Sequence, residues 1–103
     1  MPDRTVDGTY RGPTRLVQAN ARGCPRSMIR SVVVFDRSFE VQYRSTPSVS
    51  QAITATIAPD DSIHAGDGVG EVEGRLHDGL IDITVASQLC QTRMVLRLSL
   101  IHI

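Results

Sequence analysis

The sequence predicts an all-β domain of about eight short antiparallel strands, arranged as a meander that closes or partly closes into a barrel. Apolar and polar residues alternate with the period of a strand along most of the 103 residues, whereas helical spacing never persists for three turns. Turn-forming residues recur about every ten residues. A β-sandwich is the alternative architecture, and the length predicts a single domain over residues 1–103.

The first half of the chain is predicted to contain one strand followed by a hairpin. The first strand covers residues 6–11 and continues through residues 14–19. A β-branched second strand covers residues 28–35, and residues 36–38 form a three-residue loop into a strand over residues 39–44.

This hairpin fixes a register. It places Phe35 opposite Phe39 and Val33 opposite Val41 on one face, with Glu40 on the other. The sequence therefore predicts that both phenylalanines share the buried face.

The second half alternates short strands with compact turns. Proline and aspartates mark a turn at residues 59–62, and Asp78-Gly79 is a strong hairpin signal. The strands predicted around these turns cover residues 53–57, 63–65, 69–76, 80–86 and 93–103. Pairing the last strand with the first would remove exposed sheet edges.

The two cysteines, Cys24 and Cys90, are predicted to form a disulfide. Neither belongs to a C-x-x-C pair, so redox and zinc-ribbon sites lack their usual spacing. A bridge would close a loop of about 65 residues and contribute about 4 kcal/mol of stability. The alternative is a pair of reduced, buried cysteines in a cytosolic protein.

A disulfide indicates a periplasmic or secreted protein. Residues 1–15 have no apolar signal-peptide core, so we expect the signal peptide of the exported protein to have been removed. No apolar stretch approaches the roughly 18 residues that a membrane helix needs, so we expect no membrane span.

Charge is distributed unevenly along the chain. All 11 basic residues are arginine, and 11 acids balance them. Residues 1–44 carry a net charge of +4 and residues 45–103 carry −4. We expect a surface that can attract an anionic partner. The predicted partner-binding residues are Arg11, Arg15, Arg22, Arg26, Arg30, Arg93 and Arg97.

The sequence contains no pattern that indicates an enzyme or a cofactor. It lacks a G-x-S-x-G elbow, and S-x-x-K is impossible without lysine. His64, His77 and His102 are scattered, so we expect no metal site. Zero net charge and few aromatic residues make nucleic acid an unfavourable partner.

Several short motifs occur along the chain: D-G-T-Y-R-G at residues 7–12, Cys24-Pro25, Gly74-Arg75-Leu76, Asp78-Gly79, Cys90, and L-R-L at residues 96–98. Together they resemble the motifs of a loosely defined group of small exported bacterial β-proteins. The resemblance implies export and a disulfide. The group has no assigned activity, so the resemblance implies no function.

The last strand is apolar on both faces, which predicts that something covers its outer side. A homodimer interface formed by Leu98, Leu100, Ile101 and Ile103 is our hypothesis.

We therefore expect a non-enzymatic exported binding module that recognises a protein or polyanionic partner. One alternative is a carrier of a small apolar ligand inside a barrel. Another is a periplasmic protease inhibitor, because small exported barrels that inhibit serralysin-type metalloproteases have a similar size and a single disulfide.

Overall fold

Strand-forming residues give eight β-strands and no helix in the part of the chain that the computed structural model describes, namely residues 6–19, 24, 28–46, 49–88 and 90–99. This confirms the predicted all-β class. The strands are β1 (Gly8–Ala19), β2 (Met28–Val34), β3 (Ser38–Thr46), β4 (Val49–Thr56), β5 (Ser62–Gly66), β6 (Glu71–His77), β7 (Leu80–Ala86) and β8 (Cys90–Leu98).

The strands form two antiparallel sheets. One sheet has six strands in the order β2-β1-β8-β7-β6-β5, and β3 and β4 form a separate two-stranded ribbon. The predicted pairing of the last strand with the first is confirmed. The predicted closure is wrong: between β2 and β3 and between β4 and β5, the described residues form only single isolated bridges. The sheets therefore do not close into a barrel, and the β-sandwich alternative fits.

One core lies between the ribbon and the six-stranded sheet. Alternate ribbon residues face it, including Phe39, Val41 and Ile53, and all three are buried. The sheet contributes aliphatic side chains such as Ile81 and Leu96, each 0% exposed. Alternation along half-buried strands, as in Leu80–Ala86, is what the sequence pattern predicted.

The predicted hairpin between β2 and β3 is wrong in its register. The turn contains two residues, Asp36 and Arg37, with φ of 51° and 63°, and Phe35 pairs with Ser38. A shift of one residue moves a side chain to the other face. Phe39 and Val41 are consequently buried, whereas Phe35 is 60% exposed and Val33 66% exposed.

The two junctions between the sheets are named here the β2/β3 seam and the β4/β5 seam. At the β4/β5 seam, the Arg37 guanidinium donates to the carbonyl oxygens of Ile57 (2.9 Å) and Ala58 (2.7 Å) and to Asp61 Oδ1 (2.8 Å). The Asp61 carbonyl in turn accepts from the amide of Leu76 in β6 at 2.8 Å. These bonds connect the start of the ribbon to the six-stranded sheet.

The other end of the β4/β5 seam is held by Tyr43. Its hydroxyl lies 2.6 Å from Asp67 Oδ2 and 2.7 Å from Gln51 Oε1. Asp67 Oδ1 also accepts from the amides of Val69 and Gly70. Burial and the Asp67 hydrogen bond raise the pKa of Tyr43 to about 12, and the same hydrogen bond lowers the pKa of Asp67.

The loop that carries Asp67 depends on glycine at one position. A Cβ on Gly70 would lie 2.8 Å from the Tyr43 ring, closer than carbon atoms approach without displacement. The absence of a side chain at residue 70 therefore lets the tyrosine reach Asp67.

The Cys24–Cys90 disulfide is present, with the two Cα atoms 5.7 Å apart. It joins the β1–β2 connection to the start of β8, because Cys90 is the first residue of that strand. The hairpin at Asp78-Gly79 is also confirmed, with φ of 52° and 74° at the two turn residues.

Candidate partner-binding surface

Four arginines lie together on the outer face of β1 and β8. Arg11 is directly opposite Arg97, and Arg15 is directly opposite Arg93. Residues two positions apart in a strand share a face, so both pairs project from the same side of the sheet. All four residues are exposed. We name this set the arginine rows.

Like charges directly opposite each other on neighbouring strands destabilise a sheet. Arg93 has a compensating partner, since its Nε and Nη2 donate to the two carboxylate oxygens of Asp82 at 3.2 and 2.9 Å. The Arg93 hydrogen bond lowers the pKa of Asp82, and the same bond raises the pKa of Arg93. Among the described residues, Arg11, Arg15 and Arg97 have no ion-pair partner.

Apolar side chains accompany the arginine rows. Pro13 and Val95 occupy the positions between the two pairs on β1 and β8. On β2, which pairs with β1, Ile29 and Val33 are 63% and 66% exposed. The face therefore combines guanidinium groups with exposed aliphatic groups, as protein-binding surfaces do.

Acidic residues occupy the opposite side of the same outer face. Glu71 and Glu73 lie on β6 and are exposed, and Glu73 Oε1 is 3.5 Å from His64 Nε2. The sheet order places β6 two strands from β8. Arg93 and Arg97 come from the acidic half of the chain, and Arg75 lies beside the glutamates on β6, so the charge pattern of this face follows from strand pairing and not from the asymmetry along the sequence.

The structure separates Arg30 from the other predicted arginines. Arg30 alternates with the exposed Ile29 and Ser31, is half-buried, and lines a groove beside β3. Arg22 and Arg26 lie outside the described residues. Sequence reasoning missed Asp82 as the partner of Arg93, although both were placed on predicted neighbouring strands.

Arg37 was not among the predicted partner-binding residues, and its side chain is 15% exposed. Its contacts are the intramolecular ones at the β4/β5 seam. No simple sequence signal distinguishes it from the exposed arginines, because its role depends on which turns meet in space.

The predicted dimer interface is only partly within the described residues. Leu98 is half-buried and packs against the core. Leu100, Ile101 and Ile103 lie outside the described residues, so the homodimer stays a prediction.

Three further observations concern metal ions, membranes and internal space. Within the described ranges, no group of three or more histidine, cysteine, aspartate or glutamate side chains could hold a metal ion. The same residues contain no helix long and apolar enough to cross a membrane. A small space of about 60 Å³ opens between the sheets beside Tyr43, Met94 and Thr14.

Comparisons of the chain with protein families, with curated proteins and with solved structures each found no match. The arginine rows therefore have to be interpreted from their own geometry.

Proposed function

We propose that this protein is a non-enzymatic, exported binding module that recognises an anionic protein or polyanionic partner through the arginine rows. The observation that carries the proposal is the direct opposition of Arg11 to Arg97 and of Arg15 to Arg93. Guanidinium groups on adjacent strands at regular spacing suit a partner with regularly spaced carboxylate, sulfate or phosphate groups.

The charge arrangement supports a role of the arginine rows in recognising a partner, and not in stabilising the fold. Three of the four guanidinium groups have no acidic partner in the described part of the chain, so their mutual repulsion costs stability that an anion would recover. The neighbouring exposed aliphatic residues Ile29 and Val33 would add apolar contact with a protein partner.

Export is supported by the disulfide, because disulfides persist in oxidising compartments. The carrier alternative has weaker support. The space of about 60 Å³ beside Tyr43 is smaller than the pockets of about 300–1,000 Å³ that usually hold small ligands, and the larger groove of about 630 Å³ between β2 and β3 opens to solvent and is not the interior of a barrel.

The test uses two single variants with the same change in charge. Arg97→Glu alters the arginine rows, and Arg75→Glu alters an exposed arginine on β6 of the same sheet. Retention on immobilised heparin and on immobilised polyglutamate should be lost with Arg97→Glu and preserved with Arg75→Glu. Wild-type binding should weaken as salt rises.

Equal retention of the two variants would contradict the proposal, because net charge alone would then explain binding. Failure of the wild-type protein to bind either polyanion at low salt would also contradict it.

A further inference from the structure

The β2/β3 seam presents two strand edges to one groove. Phe35 exchanges both backbone hydrogen bonds with Ser38, at 2.9 and 3.0 Å. Because backbone groups of alternate residues point the same way along a strand, the amides and carbonyls of Ser31 and Val33 also face β3. Those of Glu40 and Gln42 face β2 for the same reason.

Beyond this bridge, no described residue pairs with those edges. β2 pairs with β1 on its other side, and β3 pairs with β4. The strands instead border a groove of about 630 Å³ whose lining includes Val32, Phe39, Val41 and Met94. This volume lies within the range of about 300–1,000 Å³ that is usual for ligand pockets, so the groove has room for a short extended segment.

Charged groups define the two ends of the groove. Glu40 lies near the Phe35–Ser38 bridge, whereas Arg30 and Gln42 lie farther from it. Arg30 is half-buried and makes no ion pair with a described residue. A half-buried guanidinium favours a carboxylate partner, so a ligand that fills the groove should bring one to the Arg30 end.

We propose that the β2/β3 seam accepts an extended peptide from a partner protein as an additional strand, with apolar side chains at alternate positions and a carboxylate beside Arg30. An extended backbone can hydrogen-bond to both strand edges at once. Its inward side chains contact Val32, Phe39 and Met94, and its outward side chains project toward solvent. This site is separate from the arginine rows, which lie on the outer face of β1 and β8.

The probes are two acetylated and amidated hexapeptides that alternate valine with threonine and carry an aspartate at the first or the last position. The two arrangements cover both strand directions. Binding is measured by isothermal titration calorimetry on the full disulfide-bonded chain. One of the two peptides should bind, and N-methylation of alternate backbone amides should weaken its binding at least tenfold.

Protein variants test separately the backbone hydrogen bonds of the β2 edge and the charge of Arg30. Ser31→Pro removes one groove-facing amide and should weaken binding at least tenfold, whereas Ser31→Ala keeps the amide and should bind like wild type. Arg30→Gln should weaken the aspartate peptide and leave its asparagine counterpart unaffected. Circular dichroism confirms that each variant is folded.

Amide exchange by NMR gives a readout that does not depend on variants. The bound peptide should slow exchange at Ser31, Val33 and Gln42 and leave Val32 unchanged, because Val32 faces β1. The proposal is overturned if neither peptide binds at millimolar concentration, or if N-methylation has no effect. It is also overturned if the free protein already protects Ser31 and Val33 through its own chain or a second copy.

Discussion

The two seams between the ribbon and the six-stranded sheet differ in how they are held. Among the residues that the structure describes, each has a single bridge, Phe35 with Ser38 at the β2/β3 seam and Ile57 with Ile63 at the β4/β5 seam. The β4/β5 seam is reinforced at one end by Arg37 and at the other by Tyr43. At the β2/β3 seam the strands separate around a groove.

This difference shows that side-chain hydrogen bonds can replace a missing ladder between two strands. The ribbon is fastened to the sheet along one side and open along the other, so motion of the ribbon should widen or narrow the β2/β3 groove.

Removing the disulfide should have the largest effect. Cys24→Ser combined with Cys90→Ser should lower the free energy of unfolding by about 4 kcal/mol, because the bridge closes a loop with a sequence separation of 66. Urea denaturation of the double variant and the oxidised wild type measures the difference. A loss below about 1 kcal/mol would show that the bridge constrains the unfolded chain very little.

Arg37→Met should destabilise the β4/β5 seam by about 3 kcal/mol, because it removes the donors to Ile57, Ala58 and Asp61. Arg75→Met, on an exposed arginine, is the control and should change stability by less than about 0.5 kcal/mol. Thermal denaturation compares them. Similar melting temperatures for the two variants would contradict a structural role for Arg37.

Tyr43→Phe should cost about 2 kcal/mol, since it removes the hydroxyl that bonds to Asp67. Tyr10→Phe is a matched control that leaves the Tyr43–Asp67 contact intact, because the Tyr10 hydroxyl donates to the Val6 carbonyl at 2.8 Å. It should cost about 1 kcal/mol. Amide exchange should accelerate at Val69 and Gly70 in the Tyr43 variant only.

The free energy of unfolding should fall at both acidic and alkaline pH, because Tyr43 and Asp67 each titrate at a shifted pKa in the folded state. Asp67 has a lowered pKa in the folded state, so its contribution is present above its unfolded pKa of about 3.9 and lost as pH falls through the folded value. Tyr43 has a raised pKa of about 12. Its contribution is therefore present below about pH 10 and lost as pH rises toward 12.

Denaturant titrations of wild type and Tyr43→Phe across the acid range measure this linkage. The stability difference between them should shrink below about pH 4 as Asp67 is protonated. A difference that does not change with pH would mean that the hydroxyl acts without the carboxylate.

The smallest expected effect is a difference in amide hydrogen exchange between neighbouring residues of β2 in the free protein. At the β2/β3 seam, amides of Ser31 and Val33 should exchange faster than those of Val32 and Val34, which face β1. Native-state hydrogen exchange measures the alternation. Uniform protection along β2 would show that another segment covers this edge.

The sequence predicted the elements much better than their assembly. Alternation located nearly every strand, and Asp78-Gly79 and the two cysteines were interpreted correctly. The register at β2 was wrong because the turn at Asp36 and Arg37 uses positive φ in residues other than glycine, which the sequence does not signal.

The candidate site was also predicted only in part, again because the sequence does not show how all the strands assemble. Pairing β1 with β8 brought Arg11, Arg15, Arg93 and Arg97 together as expected. Arg30 lies apart from these four arginines, because the even-numbered positions on β2 face inward. The prediction of a closed barrel was wrong because the rules for pairing neighbouring strands do not indicate whether two consecutive strands separate after their turn.

The pairing of β1 with β8 also affects how the chain can fold. All other ladders join strands that are consecutive in the sequence. This ladder joins residues as distant in sequence as Tyr10 and Leu98, and even its least separated pair is Ala19 with Cys90, so it carries most of the loop-closure entropy. Ala19 lies a few residues before Cys24, and the covalent bond to Cys90 turns this remote encounter into a nearly local one. The oxidised chain should therefore refold much faster than the reduced chain, even where both reach the same native structure.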